Sequence, residues 1–207
     1  MCNRYYIAEA DSEADEDLLR AIEEINRRYQ GQAVRRGEIR PTDVAPVIAL
    51  DGPQPMRWGF VFSGGGNPGT NARRETAATR PAFARPLRER RLAVPTSGFF
   101  EWSHENGRAK DKYLFRLRGQ STLYLAGLWD LFARPDGWLE RRFAILTTGA
   151  NEGMRRYHDR MPVYLGRGEV ERWLADAACV PAILERAQPE LVAAPAGPPP
   201  PEQLTMF

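Results

Sequence analysis

The chain is short of three residue types. Its 207 residues include only two cysteines, Cys2 and Cys179, two histidines, His104 and His158, and two lysines, Lys110 and Lys112. Cysteines 177 positions apart give neither a disulfide framework nor the close ligand spacing of a structural zinc site, and two histidines add little, so no metal or other cofactor is expected. No apolar run approaches the roughly 18 to 20 residues of a membrane span, and Met1-Cys2-Asn3-Arg4 has no signal-peptide core, so a cytoplasmic protein is expected. With two lysines among 29 basic residues, arginine supplies the other 27, against a net charge of only +2. Arginine forks suit phosphates, but genomic base composition produces the same bias. The glycine run in Ser63-Gly64-Gly65-Gly66-Asn67-Pro68-Gly69 lacks a following Gly-Lys-Ser/Thr, so it reads as a loop and not a phosphate cradle.

What is present is the hydrophobic patterning of one domain. Leu18, Leu19, Ile22, Ile25 and Tyr29 recur at helical spacing behind an acidic first turn, predicting a helix from Asp15 to Tyr29. Strands are predicted over residues 2–8, 44–50, 56–62, 92–102 (interrupted by Pro95 and Gly98), 112–118, 123–131 and 138–148, with further helices over 81–91, 169–176 and 181–186. Many strands and few helices predict an α+β fold, a single domain on a curved, mostly antiparallel sheet or barrel. From Pro189 the composition turns to Ala, Gly and Pro, predicting a domain end near residue 188 and an extended tail over 189–207.

Cys2 is the first residue with distinctive chemistry. Removal of Met1 leaves an α-amine beside a thiol, with ordinary pKa values of about 7.7 to 8.0 and about 8.5, so both are partly nucleophilic near neutral pH. Such a 1,2-aminothiol condenses with an aldehyde to an imine, which the thiol closes to a five-membered thiazolidine. Glu101, between Phe100 and Trp102 in a predicted strand, is a carboxylate among apolar neighbours, where a raised pKa suits proton transfer. His158 precedes Asp159 and Arg160, whereas His104 sits in a predicted turn and receives no role. Cys179 reads as a buried or incidental thiol.

Six motifs occur in order: Met1-Cys2-Asn3-Arg4-Tyr5, Arg57-Trp58-Gly59, Asn71-Ala72-Arg73-Arg74-Glu75-Thr76, Ser97-Gly98-Phe99-Phe100-Glu101-Trp102, Ala126-Gly127-Leu128-Trp129 and His158-Asp159-Arg160-Met161-Pro162. Together they resemble the SOS-response-associated peptidase family of abasic-site processing proteins, over roughly residues 2–180. The resemblance implies that Cys2 captures the open-ring aldehyde of an abasic site as a thiazolidine, with Asn71 positioning its amine, Glu101 as general base and His158 as proton donor. It also implies autopeptidase activity, minor here because only Met1 precedes Cys2, and leaves DNA lyase activity open. Arg4, Arg73, Arg74 and Arg160 are candidate phosphate contacts, and Trp58 a candidate stacking surface for a base. Two positions depart from the family pattern: Asn3 stands where glycine is common, and Arg74 where a small serine is usual.

The expected partner is single-stranded DNA carrying abasic sites, and one site within one chain gives no reason to require a dimer. The tail ends in Gln203-Leu204-Thr205-Met206-Phe207, which resembles a bacterial sliding-clamp-binding peptide, with Leu204, Met206 and Phe207 as anchors and Gln203 making the orienting hydrogen bonds. Two other readings stand beside capture: an N-terminal-nucleophile cysteine amidohydrolase, and a DNA or clamp adaptor without chemistry.

Overall fold

A computed structural model of the chain describes residues 3–9, 16–29, 34–62, 65–103 and 111–197. Cys2, His104 and the clamp-like segment 203–207 lie outside the described residues. In chain order the elements are β1 (Tyr5–Ile7), α1 (Glu16–Arg28), β2 (Gly37–Ile39), β3 (Val44–Ala49), β4 (Gly52–Trp58), β5 (Asn71–Arg73), the single turn α2 (Arg74–Ala77), α3 (Pro81–Glu89), β6 (Arg91–Thr96), β7 (Gly98–Trp102), β8 (Lys112–Arg116), β9 (Leu123–Ala133), β10 (Leu139–Gly149), the short α4 (Glu152–Arg155), β11 (Arg160–Pro162), β12 (Tyr164–Leu165), α5 (Val170–Ala175), α6 (Val180–Glu185) and β13 (Val192–Pro195).

Five strands close on themselves. β3 pairs with β4, β4 with β10, β10 with β9, β9 with β6, and β6 again with β3, antiparallel except at β4–β10. The expected α+β fold is therefore present, as a five-stranded barrel with a second, antiparallel sheet in the order β13-β8-β7-β1-β2. Alternation along the strands builds two cores. Val47, Met56, Trp58, Leu92, Val94, Leu125, Phe143 and Ile145 pack with Tyr5, Ile7, Phe99 and Phe115 of the second sheet. The opposite faces, with Ala93, Ala126, Leu128, Ala144 and Leu146, are covered by Phe83, Leu87, Trp173, Ile183 and Leu184 from the helices. In α1 the predicted Leu18, Ile22 and Ile25 are buried together with Ala21, while Leu19 and Tyr29 are only half-buried.

Three boundaries differ from the sequence reading. The predicted strand 92–102 is two strands in different sheets. The chain crosses between them at Ser97, where the Ala8 amide donates to Ser97 Oγ at 3.0 Å. A Cβ on Gly98 would lie 2.7 Å from the carbonyl oxygen of Phe115, so this close crossing admits only glycine. The second strand of the first hairpin starts at Gly52 instead of residue 56, because Ala49 pairs with Gly52 across a two-residue turn. Pro53 and Pro55 fit in it because β4 meets β10 only at Arg57 and Trp58, leaving the proline side of the ladder unpaired there. Finally, the domain does not end near residue 188: Val192–Pro195 pairs with Tyr113–Arg116 as the edge strand of the second sheet. Alanine and proline are poor strand formers, but an edge position tolerates them.

Candidate active site

β10 fixes two of the candidate residues by changing neighbours along its length. β4 leaves it after Trp58 and the chain returns as β5, with Ile145 beside Asn71 in parallel register. On the other flank β11 pairs with Thr147 to Gly149, which brings the His158–Arg160 turn to the same end of the barrel. The Ala150 amide secures that turn by donating to the Asp159 carbonyl at 2.9 Å.

Asn71 does not stand alone. Its Nδ2 donates to Thr70 Oγ1 at 3.0 Å and to Asn3 Oδ1 at 3.3 Å, and Thr70 Oγ1 donates to the same Asn3 oxygen at 3.0 Å. The departure at Asn3 thus has a structural effect: its amide ties the start of the chain to β5. Motif comparison alone gave Thr70 no role, and its position immediately before Asn71 was the available signal.

Glu101 comes from the second sheet. Tyr5 pairs with Phe99 and the Phe100 amide donates to the Arg4 carbonyl at 2.9 Å, so continuing this register sets Glu101 opposite Asn3. Alternation turns Glu101 to the same face as the core residues Phe99 and Phe115, and it is only 4 % exposed. Burial pushes its carboxyl up to about 7, the nearby Asp159 carboxylate adding to the rise and the Trp102 backbone amide opposing it. A group that titrates at neutral pH both takes and returns protons. The effect of Asp159 on Glu101 also marks the His158 turn as a neighbour.

His158 Nδ1 accepts the Arg160 amide at 2.9 Å, while Asp159 Oδ1 lies 2.8 Å from the same nitrogen. One nitrogen cannot accept and donate in both contacts at once. When the lone pair of the neutral ring faces Arg160, the ring hydrogen resides on Nε2 and can make a hydrogen bond; proton donation requires the doubly protonated ring, which keeps Nε2–H and turns Nδ1–H to Asp159.

The DNA-contact candidates divide. Arg73 is exposed, has no acidic partner among the described residues, and with Asn71, Thr76, Arg80 and Phe83 lines a cleft of about 170 Å³. Arg80 was not singled out from the sequence. Arg4 pairs with Glu38 at 3.2 Å. Arg160 is already engaged: its fork holds Glu75 at 2.8 and 2.9 Å and the Thr147 carbonyl at 2.8 Å. The Arg160 hydrogen bond keeps the Glu75 carboxyl below its ordinary range, against the opposing effect of burial. Arg74 donates to the Leu184 carbonyl and lies 3.7 Å from Glu75, joining α2 to α6. Both arginines therefore act as braces in this arrangement, not as open phosphate contacts. Trp58 is corrected outright. It is fully buried, donates Nε1–H to the Thr70 carbonyl at 2.9 Å and stacks with Phe143, so it presents no face to a base. It supports the site from behind by fixing the backbone that leads into Asn71.

Among the described residues, no three His, Cys, Asp or Glu side chains are grouped to hold a metal, and no helix is long and apolar enough to cross a membrane.

Comparison with known proteins shows the family and the fold. The chain is 32 % identical over 173 residues to abasic site processing protein YoaM of Bacillus subtilis, covering 76 % of each chain. It is 29 % identical to abasic site processing protein YedK of Escherichia coli, covering 88 % of each. A solved structure from Bordetella bronchiseptica superposes with a TM-score of 0.74 at 22 % identity, over 95 % of this chain and all of that one, which shows a shared fold. The model of the SOS response associated peptidase (SRAP) family matches residues 1–195, and the chain belongs to that family.

Proposed function

We propose that the chain processes abasic sites in single-stranded DNA by capturing them covalently through Cys2. The observation that carries this reading is Glu101, a buried carboxyl titrating near 7 on the strand that runs beside the start of the chain. The names of the curated relatives point to the same lesion.

The proposed chemistry uses the open-ring aldehyde. After loss of Met1, the Cys2 α-amine adds to the aldehyde carbon, and the Glu101 carboxylate takes a proton from the nitrogen and returns it to the carbonyl oxygen, giving a carbinolamine. The carbinolamine hydroxyl then leaves as water with a proton from Glu101 or from Nε2 of the doubly protonated His158 ring, the nitrogen gives its remaining proton to the conjugate base so formed, and an imine is left. The thiol sulfur attacks the imine carbon, its proton passes to the ring nitrogen, and a thiazolidine closes. One water leaves in total, with no oxidant or cofactor required. Asn71 holds the reacting segment through Asn3, and Arg73 with Arg4 supplies phosphate contacts.

The test is a denaturing gel of Met1-trimmed protein with one single strand in three forms: undamaged, abasic, and abasic with the aldehyde reduced to an alcohol. A slow, heat-stable band is expected with the aldehyde form only. Its absence from all three, with Met1 removal verified, overturns capture and returns the amidohydrolase and adaptor readings.

The tail carries a separate proposal from its sequence: Gln203, Leu204, Met206 and Phe207 engage the bacterial sliding clamp. A fusion of the last ten residues is expected to bind the clamp, and Gln203→Ala with Phe207→Ala to abolish binding. An intact tail that does not bind ends the idea.

A further inference from the structure

The second sheet carries a charge cluster on the face opposite to Glu101. Continuing the register of β1 and β2 by one residue sets Arg4, just before β1, across from Arg40, just beyond β2, and Lys112 of β8 stands across from Trp102 in β7. All three cations converge on one carboxylate. Glu38 Oε1 lies 3.2 Å from Arg4 Nε and 3.5 Å from Arg40 Nε, and Oε2 takes Lys112 Nζ. Three positive charges against one negative leave a local excess of two. Burial alone would raise the Glu38 carboxyl, but the hydrogen bond and charge of Lys112 and the charges of Arg40 and Arg4 hold it below the ordinary range.

Lys112 is held from a second side. Its ammonium lies 3.9 Å from the centroid of the Phe100 ring, and its side chain is only 16 % exposed. A lysine seated on an aromatic face keeps its position when its carboxylate partner turns away. Arg4 is adjacent to Asn3, which bonds Thr70 and Asn71, so the cluster lies one residue from the candidate active site.

We propose that Arg4, Arg40 and Lys112 form a phosphate site for the strand flanking the lesion, and that Glu38 keeps it closed as an internal anion that the incoming phosphate displaces. The carboxylate occupies the place of a phosphate: it accepts from guanidinium and ammonium donors at once, as a phosphodiester oxygen pair would. The inference rests on the reading that the chain binds single-stranded DNA, and adds Arg40, Lys112 and Glu38 to that surface.

The experiment is non-covalent binding of an undamaged fluorescent oligothymidylate, followed by anisotropy across a salt series. Glu38→Gln, which keeps the shape and removes the charge, is expected to bind about three- to tenfold tighter at low salt. Arg40→Ala and Lys112→Ala are each expected to bind more weakly and to flatten the slope of log affinity against log salt by about 0.7, the value for one lost single-strand phosphate contact. Lys112→Arg, which keeps the charge, is expected to restore the slope and guards against a folding defect in Lys112→Ala. Equal or weaker binding by Glu38→Gln, or unchanged slopes in both alanine variants, overturns the site. If those variants bind as the parent does while abasic strands still crosslink, capture stands without this site. If the salt slopes change as expected but no crosslink forms, the site stands and capture falls.

Discussion

A Cys2→Ala variant is expected to give no heat-stable band with an abasic strand, and Glu101→Gln to form that band about 100-fold more slowly than the parent at pH 7. Alanine keeps the α-amine and loses the thiol, so condensation stops at a hydrolysable imine. Adding borohydride should therefore rescue a band in Cys2→Ala by reducing that imine, which separates the role of the amine from that of the thiol. Glutamine keeps the size of Glu101 and its place in β7 but carries no titratable proton, and positioned acid–base groups contribute roughly 10² to 10⁴ in rate. The parent rate should rise with pH through an inflection near 7 as the carboxylate forms, and this inflection should disappear in Glu101→Gln. A Glu101→Gln rate within a factor of two of the parent would remove Glu101 from the chemistry.

The same substitution should stabilise the fold above neutral pH. The Glu101 carboxyl is raised from 4.5 to about 7 in the folded chain, so between these values the folded state holds more proton than the unfolded state. Parent stability is then fully present below about pH 4.5 and declines as pH rises through 7. A rise of this size corresponds to about 3 kcal/mol, as an order of magnitude. Urea denaturation should show Glu101→Gln close to the parent at pH 4 and more stable by about that amount at pH 8. Equal stabilities at both pH values would mean that Glu101 is better solvated than its burial implies. A site that costs stability where it is needed chemically is a common compromise.

How far the sequence revealed this molecule depended on whether a feature is local. The stripe of α1, the long strands β9 and β10 and the fold class follow from spacing and composition. Asn71, Glu101 and His158 were singled out by short motifs that need no three-dimensional knowledge, and the roles given to them belong to the proposal. What pairs with what was not legible. Trp58 sits in a motif, yet its burial depends on Tyr5 and Phe143, which are distant in sequence. Arg160 looks like a free cation until β11 lies against β10 and Glu75 reaches it. Val192–Pro195 has a linker's composition, and only the open edge of β8 makes it a strand. The cluster around Glu38 draws on residues in and beside strands far apart in sequence and has no motif at all.

The exchange of β4 for β5 along one flank of β10 has a consequence for variation in length. The excursion from Gly59 to Thr70 is pinned at both ends: the Gly59 amide donates to Phe143 at 2.7 Å, the Ile145 amide donates to Thr70 at 2.9 Å, and Phe60 bridges Gly69 between them. Anything inserted or deleted beyond that bridge is absorbed outside the barrel. Asn71 and the His158 turn would keep their separation, set by two neighbours of a single strand at roughly 4.8 Å per step. The loop is thus a place where the surface beside Asn71 can be lengthened, shortened or recharged while Asn71 and the His158 turn keep their spacing.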